Sequence, residues 1–171
     1  MTDKDLIKNL NSSTEETVIE TLKLIKTEGN NDVLIHIIKL FEETTNNAIK
    51  NEITNILENL KEQSSAQIII DAINSTNKEE NKSILIASCW KNGLNYENHL
   101  SVFTNIFIDS DFQIAFDAFT VIDTFENVDR NIANENLTKL NKSVDNLKDE
   151  KKALCLELIN IIEDKLNNPV N

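Results

Sequence analysis

Arginine occurs once, at Arg130, in a chain of 171 residues. Glycine occurs twice (Gly29, Gly93), proline once (Pro169), cysteine twice (Cys89, Cys155) and tryptophan once (Trp90). Sheets joined by tight turns draw heavily on glycine and proline, which supply the backbone angles of those turns. Their scarcity argues against a β fold and for long helices joined by short polar turns. The two cysteines show no motif spacing and fit a reducing compartment, with a single disulfide as the alternative. A chain of this length buries roughly 68–70% of its unfolded surface, so it needs neither disulfide nor metal for stability. No run approaches the ~18 apolar residues of a membrane span. The first residues, MTDKDLIKNLNSSTEE, hold no apolar h-region, so the expected location is cytoplasmic. With a formal net charge of −12 and one arginine, the chain has the wrong sign for phosphate backbones and anionic membranes. The charge points instead to another protein, a basic one, as partner.

Asparagine, with 26 residues, is what the chain has in excess. It stands where glycine or proline would otherwise mark turns.

Hydrophobic spacing of three and four residues runs through most of the sequence. Ser13 followed by Glu16 has the spacing of a capping box and opens a helix lined by Val18, Leu22 and Ile25, with Gly29 as its C-terminal stop. Asp32 is the expected cap of VLIHIIKLF. Ile49, Ile53, Ile56, Leu57 and Leu60 form the core stripe of NNAIKNEITNILENLK. Ser64 or Ser65 opens AQIIIDAIN, and KEENKSILIASCWKN ends before Gly93. YENHLSVFTNIFI follows, and Ser110 is the expected cap of DFQIAFDAFTVIDTFE. Two further helices are expected near 130–145 and 148–167, before Pro169.

The layout repeats. The first helices of successive pairs begin at Val33, Ala66 and His99, 33 residues apart, and at Asn134, after 35. Among second helices, Ile49, Ile53 and Ile56 align with Val18, Leu22 and Ile25, with Phe112, Phe116 and Phe119, and with Leu154, Leu158 and Ile161. A shift of 33 sets Ile53 on Ile86, Ile56 on Cys89 and Leu57 on Trp90, so Cys89 and Trp90 are expected in the core. Leu6, Ile7 and Leu10 supply the short first helix of an N-terminal partial unit. Lys148, Lys151, Lys152, Glu157 and Lys165 are expected to form the polar outer face of the last helix.

Stacked helix pairs of about 33 residues make an α-solenoid pattern. The chain resembles the HEAT-like and armadillo-like repeat superfamily over most of its length. It lacks the proline of the first helix and the arginine of the second that many HEAT units carry. The resemblance implies an all-α fold, a right-handed α-α superhelix of about four helix pairs plus the partial unit, forming one domain over residues 1–171; a compact helical bundle is the alternative arrangement of the same helices. It also implies that second helices line a concave face. Their polar stripes are then the candidate binding residues: Asn51, Asn55, Glu58 and Glu62; Gln113, Asp117, Thr120 and Thr124; Glu157, Asn160 and Asp164.

No chemistry-bearing motif competes with that reading. His36, Cys89, His99 and Cys155 lack the close pairing of zinc ligands, so no metal and no cofactor is expected. A cysteine among Ile and Trp would have a raised pKa and would make a poor nucleophile. No phosphate loop or hydrolase elbow is present. The expectation is a non-enzymatic interaction module with an acidic concave surface. Alternatives are an inhibitor or immunity-type protein that neutralises a basic toxin or nuclease, and a relative of HEAT-like DNA glycosylases, whose basic grooves the charge opposes. Six of the seven Phe lie between Phe103 and Phe125, either as a doubly covered core pair or as an apolar patch for a partner helix or a second copy.

Overall fold

The computed structural model describes residues 1–28 and 30–169. Ten α-helices and two short 3-10 turns account for its regular structure, and no strand occurs among the described residues. The chain forms two compact units, Met1–Leu94 and Asn95–Asn171.

The first unit holds α1 (Asp3–Leu10), α2 (Glu15–Glu28), α3 (Asn31–Glu43), α4 (Asn47–Glu58), α5 (Ser65–Ser75) and α6 (Glu79–Asn92). Consecutive helices pair as α1/α2, α3/α4 and α5/α6. Across the pairs, α1, α3 and α5 stack in one layer, and α2, α4 and α6 stack in a second. The second unit holds α7 (Leu100–Asp109), α8 (Phe112–Asp123), α9 (Arg130–Ser143) and α10 (Asp149–Asn167). Here α7 packs on α8 and α9, while α10 packs on α8 and α9. The all-helical expectation holds, and the short first helix around Leu6, Ile7 and Leu10 is α1.

Helix starts differ from the expected ones. Val18 N–H donates to Thr14 O at 3.2 Å, so α2 starts behind Thr14 and Glu16 falls one residue short of the position from which it could return to the cap. The capping box sits instead on α1. Thr2 Oγ1 accepts from Asp5 N–H, and Asp5 Oδ2 accepts from Thr2 N–H at 3.2 Å. Asn30, not Asp32, caps α3, accepting from the N–H groups of Asp32 and Val33. Asp32 lies in the first turn, where its charge complements the helix dipole. Asp111, not Ser110, caps α8 by accepting from Ile114 N–H at 3.0 Å. Ser110 closes α7, donating its N–H to Ile106 O. Gly93 ends α6 with φ +72°, the left-handed angle that favours glycine. Gly29, the expected stop of α2, lies outside the described residues.

Core registers are right for α2 and for four of the five residues expected in α4, since Leu60 lies beyond the helix end at Glu58 and is half-buried; they are shifted in α6, α8 and α10. Val18, Leu22, Ile25, Ile49, Ile53, Ile56 and Leu57 are all buried. In α6 the buried set is Asn81, Leu85, Ile86, Ser88, Cys89 and Asn92, while Trp90 is 37% exposed. The repeat runs at 32 residues there rather than 33, and it places polar residues where α4 has Ile49 and Ile56. In α8, Phe112 and Phe116 are 44% and 45% exposed, and Ile114, Ala115, Ala118, Val121 and Ile122 form the core. In α10, Leu158 is buried as expected, but Leu154 and Ile161 are half-buried flanks of a stripe made by Lys151, Cys155, Leu158, Ile159 and Ile162. Lys151 is therefore a buried residue, not part of an outer face. Apolarity alone overweights a large Phe at the edge of the core and overlooks Ala, Ser and Asn where helices approach closely.

Side chains tie each pair to the next. Asn31 donates to Ser64 Oγ and accepts from Ser65 Oγ, both at 2.7 Å, so these serines bind α3 rather than cap α5. Asn92 Nδ2 donates to Leu57 O at 3.3 Å, and Lys78 reaches the carbonyl oxygen of Glu42 at the end of α3. In the second unit, Asn136 Nδ2 donates to Ser101 Oγ at 2.9 Å. Glu97 Oε1 accepts from the N–H groups of Glu126 and Asn127 at 2.8 and 2.7 Å.

Burial opposes ionisation of Glu97. The backbone N–H of Asn127, the Asn95 amide, the N–H of Glu126 and the Lys165 charge outweigh that burial, and its pKa lies below the ordinary glutamate value. A carboxylate with a depressed folded pKa contributes stability that is present above its unfolded pKa and lost as pH falls through the folded value. Glu97→Gln should therefore cost about 1 kcal/mol at neutral pH, after allowance for partial exposure. Urea midpoints taken across pH should show the gap closing below about pH 4; a gap that persists there would rule out the charge as its source.

Candidate interaction surface

The expected binding residues divide between the units. Asn51 and Asn55 are exposed on α4. Asn55 Oδ1 accepts from Lys26 Nζ of α2 at 2.7 Å, and Glu58 Oε1 pairs with Lys91 Nζ of α6 at 2.6 Å. Lys91 Nζ also stands 5.4 Å from the centre of the Trp90 ring. Two rungs of the α4 stripe are thus engaged by lysines of the neighbouring second helices. Glu62 lies beyond α4, in the loop before α5. It lines a cavity of about 170 Å³ together with Ile25, Asn31, Leu34, Ile56 and Lys61.

On α8, Gln113 and Thr124 are exposed and Asp117 and Thr120 half-buried. Thr120 Oγ1 donates to Phe116 O at 2.9 Å and Thr124 Oγ1 to Val121 O at 2.6 Å, so both hydroxyl protons are directed at the helix's own backbone. On α10, Glu157, Asn160 and Asp164 are exposed. Asp164 Oδ1 accepts from Asn168 Nδ2 at 2.7 Å. Since α8 and α10 pack side by side, these seven residues belong to neighbouring helices of one layer.

Charge is unevenly distributed. The second unit carries 14 acidic and 7 basic residues, the first 15 and 10. In the second unit three lysines turn to uncharged acceptors. Lys151 Nζ donates to Ile108 O and Ser110 O, Lys165 Nζ to Asp123 O and Phe125 O, and Lys139 Nζ to Asn105 Oδ1. Lys152 pairs with Asp145 at 3.1 Å. The second unit keeps a surplus of seven negative charges. Lysines 151 and 165 were not recognisable as carbonyl ligands from spacing. The one signal was that Lys151 falls four residues before Cys155, on the core stripe.

The phenylalanines separate into two groups. Phe103, Phe107 and Phe125 are buried. Phe112 and Phe116 face outward and Phe119 is half-buried. Their rings stack in sequence, Phe112 on Phe116 at 6.4 Å and Phe116 on Phe119 at 6.2 Å between centroids.

Among the described residues no three His, Cys, Asp or Glu side chains converge as metal ligands would. Cys89 and Cys155 are buried and not joined in a disulfide, and their thiols donate to Leu85 O and Leu140 O. Burial pushes the Cys155 thiol pKa up, and the Lys151 ammonium offsets part of that rise. No described helix is long and apolar enough to cross a membrane. No protein-family model matches the chain, and no curated protein matches it either.

Proposed function

We propose that this chain is a non-enzymatic protein-interaction module of the HEAT-like kind. In this reading its helix pairs build a short right-handed α-α superhelix, in the cytoplasm, whose second helices offer an acidic, amide- and hydroxyl-rich face to a basic segment of another protein. The observation that carries it is the pairing of α8 with α10. Asp117, Glu157 and Asp164 sit on neighbouring helices of one layer, and Lys151 and Lys165 are turned to backbone carbonyls rather than to these carboxylates. Favourable potential of this sort acts mainly through steering and specificity and weakens with salt.

The test begins with a low-salt pull-down and mass spectrometry of the retained proteins. The affinity of the recovered protein is then compared between the native chain and Asp117→Asn/Glu157→Gln/Asp164→Asn. Three surface charge contacts, two exposed and one half-buried, of about 0.5 kcal/mol each predict a loss of roughly tenfold and a flatter salt dependence. Glu58→Gln should matter less, because Lys91 already holds Glu58. Unchanged affinity in the triple variant, or no basic protein retained, refutes the acidic-face reading.

A further inference from the structure

The stacked rings of α8 form an apolar plate in an acidic setting. Phe112, Phe116 and Phe119 recur at i, i+4 and i+7, so their side chains lie along one side of the helix. Their interplanar angles, 27° and 18°, make the rings nearly parallel from one turn to the next. Seven residues of helix extend about 10 Å, enough to meet two turns of another helix. Single exposed apolar residues need no explanation, but three aligned aromatic rings, two of them exposed by nearly half, do.

The surroundings of the plate select its occupant by charge. α8 itself carries no basic residue; Asp123, four residues after Phe119 and seven after Phe116, falls on the side of the helix that bears the plate, and Asp111 stands at its start. The neighbouring α10 contributes Glu157 and Asp164, which no ion pair engages among the described residues. A second copy of the chain would press the same acidic surplus against itself. An anionic lipid surface would be repelled for the same reason.

We infer that the phenylalanine ladder of α8 is the seat of an amphipathic helix from a basic partner protein, with aliphatic side chains at i, i+4 and i+7 against the rings and lysine or arginine on its flanks. The inference rests on reading the α8–α10 face as a protein-binding surface, and it names what that face holds. Helix-in-groove recognition has this form, with apolar anchors supplying affinity and flanking charge supplying choice of partner.

The probe is a labelled synthetic peptide of about five helical turns with leucines at that spacing and lysines on both flanks. Two control peptides are used, one with the same residues scrambled and one with lysine replaced by glutamate. Binding to the full chain is read by fluorescence anisotropy at low and high salt. The lysine peptide should bind at least tenfold more tightly than either control. Phe112→Ser/Phe116→Ser should weaken it about tenfold or more, and Phe116→Leu should stay within about threefold of the native chain. Glu157→Gln/Asp164→Asn should weaken binding and flatten its salt dependence. Circular dichroism melts of the serine variant should keep the native helical signal, because the replaced rings are outside the core. If the serine variant binds like the native chain while the charge variant is weakened, the ladder proposal fails and the acidic face stands. If the charge variant has no effect while the serine variant loses binding, the basic partner is wrong. Equal binding of the scrambled peptide also overturns the inference, as does a native dimer in sedimentation that Phe116→Ser converts to monomer.

Discussion

Phe103→Ala should destabilise the protein by about 3–5 kcal/mol, the range for removing a fully buried aromatic side chain. Phe103 is 0% exposed. It is the hub of a three-ring cluster, with its centroid 6.1 Å from Tyr96 at 89° and 6.3 Å from Phe125 at 70°. Such edge-to-face pairs contribute about 0.5–1.5 kcal/mol each beyond the area they bury. Tyr96 precedes α7 and Phe125 follows α8, so the ring of Phe103 holds chain segments from both ends of this helix pair. Alanine would leave a cavity lined by two large rings that cannot readily close on it. Typical domains are stable by only about 5–15 kcal/mol, so the loss is a large fraction of the total. Urea unfolding should show a lower midpoint, and hydrogen exchange should show lost protection in α7 through α10. Phe116→Ala is the internal control. With 45% of its surface already exposed, it should cost under about 1 kcal/mol. If the two alanine variants unfold at the same urea concentration, the division between buried and outward rings is wrong.

That division was not legible in the sequence, and the reason is general. Six Phe in 23 residues announce an apolar helix pair, but hydrophobicity does not say which of two adjacent stripes is the core. The small residues Ala115 and Ala118 decide it, because they allow α8 close approach while the larger rings of Phe112 and Phe116 remain outside. The opposite misreading occurs in α6, where buried Asn81, Ser88 and Asn92 hide the true stripe and Trp90 suggests a false one. Where the stripe is mostly aliphatic, as in α2 and α4, periodicity identified Val18, Leu22, Ile25, Ile49, Ile53, Ile56 and Leu57, though not the buried Thr21 beside them. Helix number, pairing and the stop at Gly93 were equally readable, since they depend on local signals.

Asparagine, read at first as punctuation, has a second use that only three-dimensional structure reveals. Asn30 and Asn46 cap helices, and Asn31, Asn55, Asn81, Asn92 and Asn136 bridge neighbouring pairs. An amide both donates and accepts, so one side chain can join a helix to the next without introducing a charge. The cross-pair partners lie 29 to 40 residues apart in these bonds, about one repeat, a separation that local sequence patterns do not report. The candidate site shows the same limit. Its polar positions could be named, but Lys26 on Asn55 and Lys91 on Glu58 depend on the packing of α2, α4 and α6.

Lysine performs the corresponding task at helix ends, and Lys151 gives the second large expected effect. Its ammonium donates to Ile108 O at 2.8 Å and Ser110 O at 2.5 Å, and it lies 5.7 Å from the centre of the Phe107 ring. Those carbonyls close α7, where unpaired oxygens and the negative end of the helix dipole favour a cation. Burial lowers the Lys151 pKa, and the charges of Asp109 and Asp111 oppose that shift. For a base with a depressed folded pKa, the unfolded chain binds more protons between the two values. The burial penalty therefore persists at neutral pH and is relieved only as pH rises toward the ordinary lysine range. Lys151→Met keeps the apolar stem and escapes that penalty, but it leaves two end carbonyls without their charged donor. Charge-assisted bonds contribute about 1.5–3 kcal/mol each, and relief of burial offsets part of the loss, so the net cost should be about 2–3 kcal/mol. Lys151→Ala should cost more still, because the stem that covers Phe107 is removed as well. Urea midpoints at neutral pH rank the three proteins, native above Met above Ala. A methionine variant as stable as the native chain would mean that burial cancels the carbonyl contacts, leaving Lys151 in the core without a net contribution to holding α10 against the end of α7.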